Sequence, residues 1–74
     1  MREAVRYAIV IERSDTGYSA WVPDLPGCVA AGSSVEEVAR LLREAIAMHV
    51  VGLRADGLPV PPPACRVDYV DVAA

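Results

Sequence analysis

Ser34-Val35-Glu36-Glu37-Val38-Ala39-Arg40-Leu41-Leu42 is the stretch on which the fold turns. Ser34 can cap a helix, because its hydroxyl accepts from a backbone N–H that the first turn leaves unpaired. Glu37, three residues on, completes the Ser-x-x-Glu pattern of a capping box. Glu36 and Glu37 also place negative charge at the positive end of the helix dipole. Beyond the cap, Val35, Val38, Leu42, Ala45, Ile46, His49 and Leu53 recur at helical spacing and make one apolar stripe. Leu41, Met48 and Val51 fall beside that stripe, while Glu36, Arg40, Arg43 and Arg54 mark the wet side. The helix is expected to stop near Ala55-Asp56, with Gly57 as the residue just past its end and Pro59 barring continuation.

Upstream of the helix the period changes. Over residues 4–12, Val5, Tyr7, Ile9 and Ile11 point one way and Ala4, Arg6, Ala8, Val10 and Glu12 the other, as in a strand. Ser14-Asp15-Thr16-Gly17 is a turn, and residues 18–22 read as the second strand of a hairpin. Pro23 and Pro26 end that strand, since proline has no N–H to give to a ladder. Residues 28–31 form a short third strand. Downstream, Pro59-Val60-Pro61-Pro62-Pro63 is a stiff, extended connector, and Cys65 to Val72 reads as a fourth strand. The order β-β-β-α-β predicts an α/β (α+β) domain with a four-stranded sheet and one helix on one face. The right-handed crossover rule puts the fourth strand beside and parallel to the first. The other sheet face has no cover within the chain.

Composition sets bounds on what such a domain does. The 74 residues make one domain, residues 1–74, and a chain of this size buries only about 60–65% of the surface it exposes when unfolded. Yet 54% of the residues are hydrophobic and the mean hydropathy is +0.31. Apolar surface is therefore expected to remain unsatisfied in one copy, and self-association as a dimer or tetramer is its natural outlet. The formal charge of −3 argues against nucleic-acid binding, which calls for a basic patch, and suits a basic protein partner. No signal peptide precedes the first strand and no apolar run has the length of a membrane span, so the expected location is cytoplasmic. Cys28 and Cys65 then read as reduced, buried thiols. Two cysteines and His49 do not supply a zinc site, and no cofactor is expected.

The string Gly17-Tyr18-Ser19-Ala20-Trp21-Val22-Pro23-Asp24-Leu25-Pro26-Gly27-Cys28, followed by Gly32-Ser33-Ser34-Val35-Glu36-Glu37, resembles the HicB antitoxin family. The likeness continues through Glu44-Ala45-Ile46 and Gly52-Leu53 to Asp56-Gly57-Leu58-Pro59-Val60-Pro61, covering residues 5–63. It implies a truncated RNase H-like fold that neutralises a small mRNA-cleaving toxin, HicA. Many family members add a C-terminal helix-turn-helix or ribbon-helix-helix segment for operator DNA. This chain reaches Ala74 just after the fourth strand, so no such domain and no direct DNA binding are expected.

An RNase H-like topology raises the question of nuclease activity, which needs carboxylates converging on metal ions. The middle of the first strand, where the first would stand, is Ala8-Ile9-Val10 and holds no acid. Asp68 and Asp71 alone read as exposed strand residues. Asp24 and Cys28 invite a catalytic reading of the Pro-Asp-Leu-Pro-Gly-Cys loop, but two prolines and a glycine fix a tight connection in which Asp24 bonds nearby backbone amides. His49 on the apolar stripe reads as a packed histidine. No enzyme activity is expected.

What remains is a binding protein. Trp21 alternates with Tyr18, Ala20 and Val22. If those face the helix, Trp21 lies on the bare sheet face as an interface anchor. Leu41, Met48 and Val51 are either a broad core stripe or a contact between subunits. Trp21, Asp24, Leu25, Leu41, Met48 and Val51 are thus the candidate contact residues, for a HicA-like toxin or for a second copy. A stand-alone oligomeric domain without a toxin is the other reading that the residues allow.

Overall fold

The computed structural model describes residues 5–74, so Ala4 of the expected first strand lies outside the described residues. The elements run β1 (Val10–Ser14), β2 (Gly17–Trp21), β3 (Val29–Gly32) and α1 (Val35–Ala55). The three strands form one antiparallel sheet in the order β1-β2-β3. Among the described residues, no helix is long and apolar enough to cross a membrane.

The helix starts as its sequence dictates. Ser34 is the N-cap, extended at φ −145°, and its hydroxyl accepts from the Glu37 N–H at 3.1 Å. The Glu37 carboxylate reaches back one residue further than a capping box requires, accepting from the Ser33 N–H at 2.8 Å. At the other end Gly57 takes φ +69°. Its N–H donates to the Arg54 carbonyl at 3.1 Å, and the Leu58 N–H to the Leu53 carbonyl at 2.9 Å. Those two bonds are the Schellman arrangement, which satisfies carbonyls the last turn leaves bare.

The sheet register sorts the faces. Ile11, Ala20 and Ala30 stand opposite one another, and so do Val10, Trp21 and Val29 one step along. The first row faces α1. Together with Val22, Leu25, Cys28, Val38 and Leu42, Ala20 makes the buried core, against which Tyr7, Ile9, Ile11, Tyr18, Ala45 and Ile46 pack. At the β1–β2 turn, Gly17 passes so close to the connection after β3 that an added Cβ would stand 2.5 Å from the Gly32 carbonyl oxygen.

Four expectations need correction. The first strand begins at Val10, not near residue 4, because its ladder partner β2 ends at Trp21 opposite Val10 and Pro23 then turns the chain away. Residues 65–72 form no strand: they are exposed and, among the described residues, join no ladder. Three consecutive prolines, which have no N–H to give to a ladder, stand at the root of this stretch. Cys65, expected buried, is therefore exposed, and Cys28 alone is a core thiol. Val35, on the expected stripe, is exposed because it opens the first turn, ahead of the sheet that buries Val38.

Candidate functional site

The Pro23–Gly27 loop determines what surrounds Trp21. The Val22 N–H donates to the Cys28 carbonyl at 3.2 Å, the Leu25 N–H to Val22 and the Cys28 N–H to Leu25, both at 3.1 Å. The loop thereby doubles back under the sheet, with Gly27 at φ +84°. Leu25 is turned inward and has 0% of its surface exposed. It is a core residue and offers nothing to a partner, which corrects its place among the contact candidates.

Asp24, its neighbour, points out and does something that sequence spacing did not suggest. Its Oδ2 accepts from the Ala64 N–H at 3.0 Å and the Cys65 N–H at 3.1 Å. The amides it serves are forty residues away, not nearby. The Cys65 and Ala64 N–H groups favour the ionised carboxyl and hold Asp24 below its ordinary value. The Cys65 thiol is pushed up by its hydrogen bond to that same carboxylate, while burial pushes up Cys28. A second tether lies close by: the Tyr7 hydroxyl donates to the Pro61 carbonyl at 2.6 Å. A tyrosine packed against the core needs an acceptor for its hydroxyl, so Tyr7 was the readable half of that bond.

Trp21 stands where alternation placed it. Ala20 and Val22 are buried, and Trp21 faces away from α1 with 40% of its surface exposed. Cross-strand pairing seats it between Val10 and Val29, giving an apolar row across all three strands. Val29 is the member that sequence reading missed, because only the β2–β3 register brings it beside Trp21. Met48 and Val51 are exposed and, with Ala47 and Gly52, line an open apolar groove on α1; Leu41 is half-buried. The groove and the row are not separate. Met48, the half-buried His49 and Val29 line one shallow hollow at the β3 edge with Gly27 and Cys28. Apolar surface therefore runs from Val10 and Trp21 over Val29 to the Met48 side of the helix. An aromatic anchor within such a surface is what a protein–protein contact uses. Among the described residues, no three His, Cys, Asp or Glu side chains gather as a metal ion would require.

Comparison with known proteins gives the family. Residues 7–73 match the family described as HicB_like antitoxin of bacterial toxin-antitoxin system. A UPF0150 protein of Helicobacter pylori is 49% identical over 49 residues, which are 66% of this chain and 68% of the relative. A 14.9 kDa protein from the rep-hol intergenic region of Haemophilus phage HP1 is 40% identical over 74% of this chain, which spans only 41% of the phage protein. Among solved structures, a chain of a HicA3 and HicB3 toxin-antitoxin complex superposes with a TM-score of 0.68 at 33% identity. That match covers 80% of this chain and 70% of the other.

Proposed function

The chain belongs to the HicB-like antitoxins of bacterial toxin–antitoxin systems, and from that membership we propose that it binds and neutralises a small HicA-type, mRNA-cleaving toxin in the cytoplasm. The observation that carries this reading is the likeness, over four-fifths of the chain, to a component of a toxin–antitoxin complex. Neutralisation needs no chemistry from this chain; it needs a surface that a toxin cannot leave. The row Val10–Trp21–Val29, continued over the β3 edge to Met48, supports that role. Tryptophan removed from water brings a large apolar area at little cost in side-chain entropy. The net charge of −3 favours encounter with a basic protein.

The test is genetic and then physical. The small basic protein encoded beside this chain is expected to arrest growth when expressed alone and to be harmless when co-expressed. Trp21→Ser is expected to leave the chain folded, because Trp21 lies outside the core, and to weaken the complex by about 2 kcal/mol or more, the scale of an interface anchor. Isothermal titration of the purified pair reads that loss. A neighbour that is harmless alone removes the toxin reading and leaves a stand-alone domain. A Trp21→Ser variant with undiminished affinity places the toxin elsewhere on the chain.

A further inference from the structure

Residues 66–74 are an arm that their own domain does not use. Val67, Tyr69, Val70 and Val72 are all exposed, Tyr69 at 89% of its surface. These are residue types that favour strands, where a side chain is half-covered by a neighbour. The arm also stretches the molecule. Its radius of gyration is 14.1 Å, against about 11 Å for a compact chain of this length. Residues this apolar, held in water with no ladder hydrogen bonds and only the Tyr69 N–H answered, by the Asp68 carboxylate at 2.8 Å, belong beside another strand.

An acceptor for them exists in the same molecule. β1 is the terminal strand of the sheet, and among the described residues its outer edge carries no partner. The crossover rule assigns that edge to the segment following α1. In one chain the pairing is not made, and the geometry at the root of the arm gives the reason. Asp24 holds the Ala64 and Cys65 N–H groups, Tyr7 holds the Pro61 carbonyl, and Pro62 and Pro63 stiffen the stretch between. Cys65, Arg66 and Val67 come beside Arg6, Tyr7 and Ala8 around an open cavity of about 500 Å³, ahead of β1, and among the described residues no ladder joins the two stretches. From Arg66 onward the arm is free of those tethers, and its nine residues reach about 30 Å when extended.

We propose that the arm of each chain adds as a strand to the β1 edge of a second copy, so that two chains close a dimer by reciprocal exchange. Exchange of an element that a stiff, tethered connector keeps out of its own sheet is an economical route to a closed two-fold assembly. The exchange gives the arm's backbone the partners it lacks and covers Val67, Tyr69, Val70 and Val72. It also blunts an open sheet edge, which otherwise invites uncontrolled pairing. Self-association expected from composition thus falls to the arm, and the Trp21 row remains for a different protein. The exchange does not depend on the antitoxin reading.

The experiment is light scattering on the full chain at micromolar concentration, with amide hydrogen exchange on the same sample. The expected mass is that of two chains, with the amides of residues 66–72 protected by comparison with a peptide of that sequence. An edge strand presents alternate N–H groups to its neighbour, so Tyr69→Pro/Val70→Pro removes one donor whichever way the arm faces. That full-length double variant is expected to have the mass of one chain and an unchanged helical circular dichroism signal, while Trp21→Ser stays a dimer. A wild-type mass of one chain overturns the proposal. So does a dimer whose arm amides exchange as freely as the peptide's, a readout that needs no variant to fold. A helical Tyr69→Pro/Val70→Pro chain that remains dimeric overturns it as well.

Discussion

Leu42 and Met48 lie on one helix, yet Leu42 has 0% of its surface exposed and Met48 has 76%. The first half of α1 lies over the sheet, where Val38 and Leu42 meet Ala20, Val22, Leu25 and Cys28. In the second half Ala45 and Ile46 still pack against that core, and beyond them the helix shares an open cavity of about 270 Å³ with Val5, Tyr7 and Val60. At 100° per residue Met48 lies about 240° round the helix from Leu42, off the apolar stripe, whereas Ala45, Ile46, His49 and Leu53 on the stripe stay half-buried. The face a residue presents to the sheet decides which apolar residues become core and which become surface.

The contrast is broken most directly by truncating one residue on each face. Leu42→Ala is expected to cost about 2–5 kcal/mol, from lost transfer energy plus the cavity left behind. A domain of this size has only about 3–5 kcal/mol to lose, so the variant should be largely unfolded at 25 °C. Met48→Ala is expected to stay within about 0.5 kcal/mol of the parent, as exposed substitutions do. Urea titrations followed by circular dichroism measure both. Comparable costs would mean that the face carrying Met48 is packed as well as the face carrying Leu42.

A smaller effect sharpens the same contrast at the packed end. Ser34→Ala removes the acceptor for the Glu37 N–H and is expected to cost about 1 kcal/mol. Loss should appear first as faster amide exchange in residues 35–38, since capping acts on the first turn. A loss spread evenly along α1 would show that the helix melts as one unit.

The smallest effect is local and depends on pH. Asp24 is held below its ordinary value of 3.8. Its contribution to folding is therefore complete above that value and is lost as pH falls through the lower, folded-state value. The Ala64 and Cys65 amide resonances are expected to shift together in that acid range, and Asp24→Asn to abolish the shift. The same contact makes a second reading testable near neutrality. Because the carboxylate keeps the Cys65 thiol protonated, alkylation of Cys65 at pH 8 should run slower than in a free peptide and quicken in Asp24→Asn.

Much of this was legible in the residues themselves. Ser34 and Glu37 mark the helix start, Gly57 and Pro59 its end, and the alternation Ala20–Trp21–Val22 says which side of the sheet the tryptophan occupies. Each of these signals is local, set by backbone chemistry within a few positions. Leu25 was misread because a leucine between two prolines looks like the tip of a loop; only the Val22–Cys28 hydrogen bonds reveal that the loop folds under the sheet. The stretch from Cys65 to Val72 was misread for a different reason. Its composition states a preference for pairing, and the crossover rule states where a fourth strand would go. Neither says whether the connector lets the ladder form, and Asp24 with Tyr7 tethers the connector through contacts that sequence does not announce. Asp24 as the anchor of a segment forty residues away has no signature in sequence at all.

Gly17 sits at a turn on the rim of the molecule, where tolerance of substitution would ordinarily be high. Its missing side chain is nevertheless the space through which the hairpin approaches the Gly32 carbonyl, immediately before the helix cap. That carbonyl belongs to rigid backbone and cannot swing aside. Among variants sampled at every position, residue 17 should behave as the interior does, folding with almost nothing else, while exposed Met48 can be replaced with little effect on folding. The freedom of a position to drift is set here by the distance to the nearest backbone, whatever its depth below the surface.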